Sequence, residues 1–200
     1  MKSPSFKITA LCCSLFLATA AAMPAISTAQ TAFQTKEMDM RLAGTSNLHD
    51  WEMKAVEGTS KAVFVVSAAG KITSISKLSF SFPAKNLKSD SKAMDKNTYR
   101  ALNTDQNPNI SFVLTSSSVK SMGGDNYQLA CNGNMTIAGI TKQTTLVATG
   151  VYSAAGRSFT ITGVKKMKMT DYNVKPPTAV MGTIKTGNDI TLSYNVKFLR

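Results

Sequence analysis

From Met38 to Phe198 apolar and polar residues alternate with a period of two, almost without a break. No other feature constrains the fold as much. Successive side chains on a strand point to opposite faces, whereas an amphipathic helix needs a period near 3.6. Met38, Met40 and Leu42 alternate with Glu37, Asp39 and Arg41, and Trp51, Met53 and Ala55 with Asp50, Glu52 and Lys54, until Gly58 ends the run. Leu78, Phe80 and Phe82 share a face opposite Lys77, Ser79 and Ser81, and Pro83 closes that stretch. Ile110, Phe112 and Leu114 follow the rule, as do Tyr127, Leu129 and Cys131, and later Leu146 with Ala148 and Phe159 with Ile161. The last run sets Ile190, Leu192, Tyr194, Val196 and Phe198 on one face. Only Ala62–Val66 is apolar on both faces, so its inward side is not readable from the pattern.

Turn residues punctuate these runs at Ala69-Gly70, Gly123–Asn126, Ala138-Gly139 and Ala155-Gly156, as hairpins require. One segment has a different period. Between Lys92 and Leu102, residues Met94, Thr98, Ala101 and Leu102 recur at helical spacing, and Ser91 is placed to cap them, which predicts one short helix over about 92–102. The whole reads as all-β, a single antiparallel barrel of about eight strands, because closure removes the edges that an open meander would expose. A barrel of that size encloses either a side-chain core or one small ligand.

Residues 1–29 read as an export signal. Lys2 and Lys7 precede an apolar stretch from Ile8 to Ala22, and Ser27-Thr28-Ala29 supplies small residues for cleavage, so the mature domain is expected at 30–200 in the periplasm or outside the cell. Cys12 and Cys13 fall inside that leader, too early for lipid attachment, and leave Cys131 as the single thiol without an internal disulfide partner. No later segment has the length and hydropathy of a membrane span. Without Lys2 and Lys7 there are 21 basic residues against 11 acidic ones. The lysines are scattered rather than clustered, which predicts no nucleic-acid partner and a weak attraction to anionic surfaces.

His49, the chain's single histidine, stands beside Asp50 and Trp51 and invites a catalytic reading. Three observations oppose it. A multi-histidine metal site is ruled out by count. In a strand Asp50 would point away from the imidazole it should orient. No Gly-x-Ser-x-Gly elbow accompanies it. A hydrolase using His49, alone or with Cys131, therefore stays a minor alternative. A second is a Met-based Cu(I) carrier, since Met38 with Met40 and Met167 with Met169 each put two thioethers on one face. Methionine also lines irregular apolar cavities well, and that reading is preferred.

The segments "GTSNLHDWEMKA" (44–55), "FSFPAKNLKS" (80–89), "MDKNTYRALN" (94–103), "NPNISF" (107–112), "NGNMTIAGITK" (132–142) and "KMTDYNVKPPTAVMGTIKTG" (168–187) occur in the order seen in YceI-like domains, and the chain resembles that family over roughly 40–200. The resemblance implies a lipocalin-like antiparallel barrel whose apolar interior holds an isoprenoid or related lipid, with neither enzymatic activity nor a cofactor. On that model the inward faces nominate Trp51, Met53, Leu78, Phe80, Phe82 and Ile110 as cavity lining, together with Phe112, Leu114, Leu129, Leu192, Tyr194 and Val196. His49 is placed at the cavity mouth. No metal ligand is nominated.

Overall fold

In the computed structural model, which describes residues 28–200, the alternating runs become β1 (Thr28–Ser46), β2 (Trp51–Ala55), β3 (Thr59–Ser67), β4 (Ile72–Pro83), β5 (Leu87–Lys88), β6 (Asn109–Gly123), β7 (Asn126–Ile137), β8 (Ile140–Ser153), β9 (Ser158–Lys168), β10 (Thr178–Ala179) and β11 (Ile184–Leu199). The expected leader lies outside the described residues, except that Thr28 and Ala29 already pair with Ser67 and Val66 of β3.

Eight staves close the barrel, in the order β1-β3-β4-β6-β7-β8-β9-β11, with β11 returning to β1. All neighbouring strands run antiparallel. Of the three remaining short strands, two are continuations: β1 pairs with β3 through Thr28–Gln34 and with β2 through Met40–Gly44, and β5 extends the line of β4 alongside β2; the third, β10, pairs with β11. The helix α1 spans Lys92–Ala101, and Ser91 Oγ accepts a hydrogen bond from the Met94 amide at 3.3 Å. Its start matches the spacing argument.

The two ends of the barrel differ in packing. At the end that carries the β3–β4, β6–β7 and β8–β9 hairpins, Phe64 sits among Phe33, Phe159 and Phe198, with ring centroids 4.9, 4.7 and 5.9 Å away in edge-to-face geometry. Tyr127 and Tyr152 extend this cluster around Phe159. Gly150 makes room for it, since a Cβ there would lie 2.5 Å from the Phe159 ring. The twofold apolar stretch at 62–66 resolves here: Ala62 and Phe64 are buried, Val63 and Val65 only half so. Register shifts opposite Val63/Phe64 and Val65/Val66 leave Ser76 and Thr73 of β4 as extra residues, and such bulges bend the strand that carries them.

Two seams are incomplete, and side chains complete their hydrogen bonding. The β4–β6 ladder covers only Ser79–Pro83; beyond it Ser117 Oγ donates to the Ile75 carbonyl at 2.8 Å and accepts from the Ile75 amide at 3.1 Å. The β8–β9 ladder stops at Ala148–Gly163, where Tyr194 Oη donates to the freed Val147 carbonyl at 3.0 Å. Gly163 is what lets the phenol pass, because a Cβ there would sit 2.3 Å from Tyr194 Oη. An unpaired buried carbonyl would cost on the order of 1–3 kcal/mol, so these bridges let the staves part cheaply.

Candidate functional site

Above the aromatic end the barrel is hollow. A cavity of about 390 Å³ opens between the strand ends at the opposite rim, within the range of about 300–1,000 Å³ usual for small-molecule sites. Its walls come from inward positions of several staves: Met40 and Leu42 of β1, Trp51 and Met53 of β2, Phe80 and Phe82 of β4, Ile110 of β6, Met135 and Ile137 of β7, Met167 of β9, and Ile190 and Leu192 of β11. Helix α1 adds Met94 and Ala101, and a 3-10 turn over Met169–Tyr172 adds both its end residues. The mouth is framed by Ser46, Leu48 and His49 on one loop and by Pro177–Val180 with Ile184 on another.

Local sequence explains how the wall residues are held. Trp51 pairs with Gly44 across the β1–β2 ladder, and a Cβ on Gly44 would lie 2.3 Å from the indole, so the ring lies flat over the neighbouring strand. Its Nε1 donates to the Thr45 carbonyl at 3.0 Å, which fixes the indole at the rim. Thr98 Oγ1 on α1 donates to Met53 Sδ at 3.4 Å and ties the helix to the wall. Six methionines border the space, namely Met40, Met53, Met94, Met135, Met167 and Met169. Their flexible thioethers can refit around occupants of different shape.

The residues nominated from the inward faces lie at different depths. Trp51, Met53, Phe80, Phe82, Ile110 and Leu192 border the cavity, with His49 at its mouth. Leu78, Phe112, Leu114, Leu129, Tyr194 and Val196 do not; they belong to the packed part of the interior. Phe112 stacks beneath Phe80, centroids 5.6 Å apart, and Leu129 is wholly buried. Alternation reports which face a residue takes, not how far along the barrel it lies. Period-2 reading also passed over wall residues it had already aligned, Met40, Leu42, Met167 and Ile190, and could not reach Tyr172 or the Pro177–Val180 loop, which follow no period.

The family model for the YceI-like domain matches residues 24–198. The chain belongs to this family. Solved structures share the YceI-like fold at low identity. The BcnA protein of Burkholderia cenocepacia superposes with a TM-score of 0.62 at 14% identity, over 80% of this chain and 95% of its own. A polyisoprenoid binding domain from Saccharophagus degradans gives 0.63 at 8% identity, over 86% and 99%. A YCEI protein of Campylobacter jejuni gives 0.52 at 18%, over 71% and 83%. No curated protein matches the chain.

Within this YceI-like barrel the groups that could do chemistry are dispersed. His49 is exposed, and its Nδ1 lies 2.6 Å from the Asp50 main-chain oxygen. A carbonyl only accepts, so Nδ1 carries the proton in that contact. Cys131 is buried among the core residues, away from the cavity lining that includes His49. The expected methionine pairs fare differently: Met167 and Met169 both border the cavity, while Met38 packs over Gly58 and only Met40 reaches the space. Among the described residues no three His, Cys, Asp or Glu side chains converge in a metal-binding group.

Burial pushes the Cys131 thiol up to about 11 from its ordinary value of 9.0, and burial likewise pushes Tyr194 up to about 12 from 10.0. For both groups the folded state holds its proton more tightly than the unfolded chain does, so their stabilising contribution is complete below about pH 9 and is lost as pH rises through 11 and 12. Two outcomes are expected. In the native protein near neutral pH, Cys131 should react with a thiol reagent far more slowly than in the unfolded chain. Cys131→Ala should flatten the fall in urea stability between pH 9 and 11. Rapid labelling of the folded protein would contradict the buried position.

Proposed function

We propose that this protein is a non-catalytic carrier that holds an isoprenoid or another long-chain lipid in the barrel, in an exported setting. The single observation that carries the reading is the cavity itself: an opening of about 390 Å³ whose walls are almost wholly aliphatic, aromatic and thioether, with its few polar residues set near the rim. Such a space offers a hydrocarbon chain escape from water and offers a polar substrate almost no partner. At about 0.8 kcal/mol per buried methylene, one five-carbon isoprene unit gains roughly 4 kcal/mol gross, before ordering costs. The polyisoprenoid binding domain from Saccharophagus degradans, which shares the fold, supports the same ligand class. The amino-terminal pattern of Lys2, Lys7 and the apolar Ile8–Ala22 stretch supports export.

A carrier needs no general base, and His49 is positioned as a rim residue bonded to its neighbour's backbone. His49→Ala should leave lipid affinity within a few-fold of wild type, measured by titration with a fluorescent isoprenyl probe. The six thioethers of the wall keep Cu(I) as the second reading. Native mass spectrometry of the full chain purified from its own host separates the two. A co-purifying lipid mass is expected; a bound copper mass without lipid would replace the carrier reading with the copper one.

A further inference from the structure

We propose that the lip of the barrel is a docking surface for an anionic lipid bilayer, with the tip of the β10–β11 hairpin as its apolar anchor. This rests on the carrier reading for its purpose, but on different residues for its observation. Val180 and Met181 at that tip are 67% and 107% exposed, and Leu48 on the facing loop is 64% exposed. These apolar side chains stand together on one rim because Asn47 stitches the two loops. Its Nδ2 donates to the Thr183 carbonyl at 2.9 Å, its Oδ1 accepts from the Lys185 amide at 2.8 Å, and its own amide donates to the Lys185 carbonyl at 3.1 Å.

The hairpin tip is also locally unfavourable. Val180 and Met181 take φ of 50° and 51°, and the Gly182 amide closes the turn on the Ala179 carbonyl at 3.1 Å. Positive φ at both central positions is the turn geometry that Asn-Gly fills best, and a β-branched residue is strained there. Here the two positions carry large apolar side chains held out into water. Neither stability nor solubility accounts for that choice, whereas insertion between lipid headgroups does.

Charge selects the occupant. Lys175 and Lys185 flank the hairpin, and neither forms an ion pair among the described residues. Asp50 is the one carboxylate on either loop. The surplus of 21 basic over 11 acidic residues outside the leader favours the same sign of partner. Apolar tips flanked by lysines fit the edge of an anionic membrane, with the cavity mouth facing the bilayer from which a lipid chain would enter.

Co-sedimentation of the full chain with phosphatidylglycerol–phosphatidylcholine vesicles tests the surface. Wild type should bind, more weakly as salt rises. Met181→Asn replaces a residue outside the cavity lining with one that tolerates the left-handed backbone, so the fold should hold while vesicle affinity falls roughly five-fold or more. Lys175→Gln and Lys185→Gln should each cost about five-fold at low salt. Loading with an isoprenyl probe delivered from cyclodextrin, which bypasses the membrane, should be unchanged in all three variants. No vesicle binding by wild type, or equal binding by Met181→Asn, overturns the docking surface. A wild-type dimer that Met181→Asn converts to monomer, without vesicle binding, overturns it in favour of a second copy of the chain. Vesicle binding without any probe loading leaves the surface standing and removes the carrier reading instead.

Discussion

Leu192→Trp should fold with nearly unchanged stability and load at least tenfold less lipid. Leu192 lies on β11 between Leu42 and Lys165 in the two adjoining ladders, half-buried and bordering the cavity. A larger side chain there grows into space that no protein atom occupies, so it displaces ligand rather than neighbours. The same enlargement at Leu129 should have the opposite profile. Leu129 is wholly buried, in the interior region where Gly150 already brings Phe159 close: a Cβ on Gly150 would lie 3.2 Å from Leu129 and 2.5 Å from the Phe159 ring. Leu129→Trp must push these rings apart at a cost of about 1–3 kcal/mol or more. Thermal unfolding and probe titration of the two variants together locate the boundary between cavity and core. If Leu192→Trp were the more destabilised, the hollow would be a filled core. If it loaded lipid normally, the ligand would lie elsewhere.

The pair also shows what the sequence carried and what it did not. Leu129 and Leu192 look alike in the alternation, both inward on long strands, and only the structure separates them by height. β11 alone spans Ile184–Leu199, longer than the cavity is deep, so one correct face holds both lining and floor. The closed barrel was legible because period, turn residues and the need to hide edges all pointed one way. The helix was legible for a similar reason: Ser91 and the Met94–Thr98–Ala101 spacing are local signals. The hairpin at the mouth was not. Pro176-Pro177 mark a loop there, but β10 is two residues long and the central turn positions hold Val180 and Met181 rather than Asn or Gly, so no local signal marks a hairpin. Likewise Val56–Gly58 divides β2 from β3 without leaving the line of the stave, a break that matters only once β1 has paired with both.

Phe64→Ala should be the most destabilising single truncation, about 3–5 kcal/mol, the range for removing a buried aromatic side chain. Phe64 is fully buried and touches three other phenylalanine rings from three different staves, Phe33 on β1, Phe159 on β9 and Phe198 on β11. Nothing nearby can collapse into the gap without unstacking those edge-to-face pairs, which add about 0.5–1.5 kcal/mol each beyond area burial. The dependence is heightened because the other half of the barrel is hollow and Cys131, the free cysteine among the described residues, makes no disulfide. With total stability of about 5–15 kcal/mol for a domain, such a loss takes about a fifth of it or more. Urea unfolding should show the midpoint fall at unchanged slope. Lipid affinity of the fraction that remains folded should hold, because the cavity walls of Met40, Met53, Phe80 and Leu192 do not include Phe64. A variant that lost affinity in proportion to stability would mean that the aromatic end and the cavity are one cooperative site rather than a support and the space it holds open.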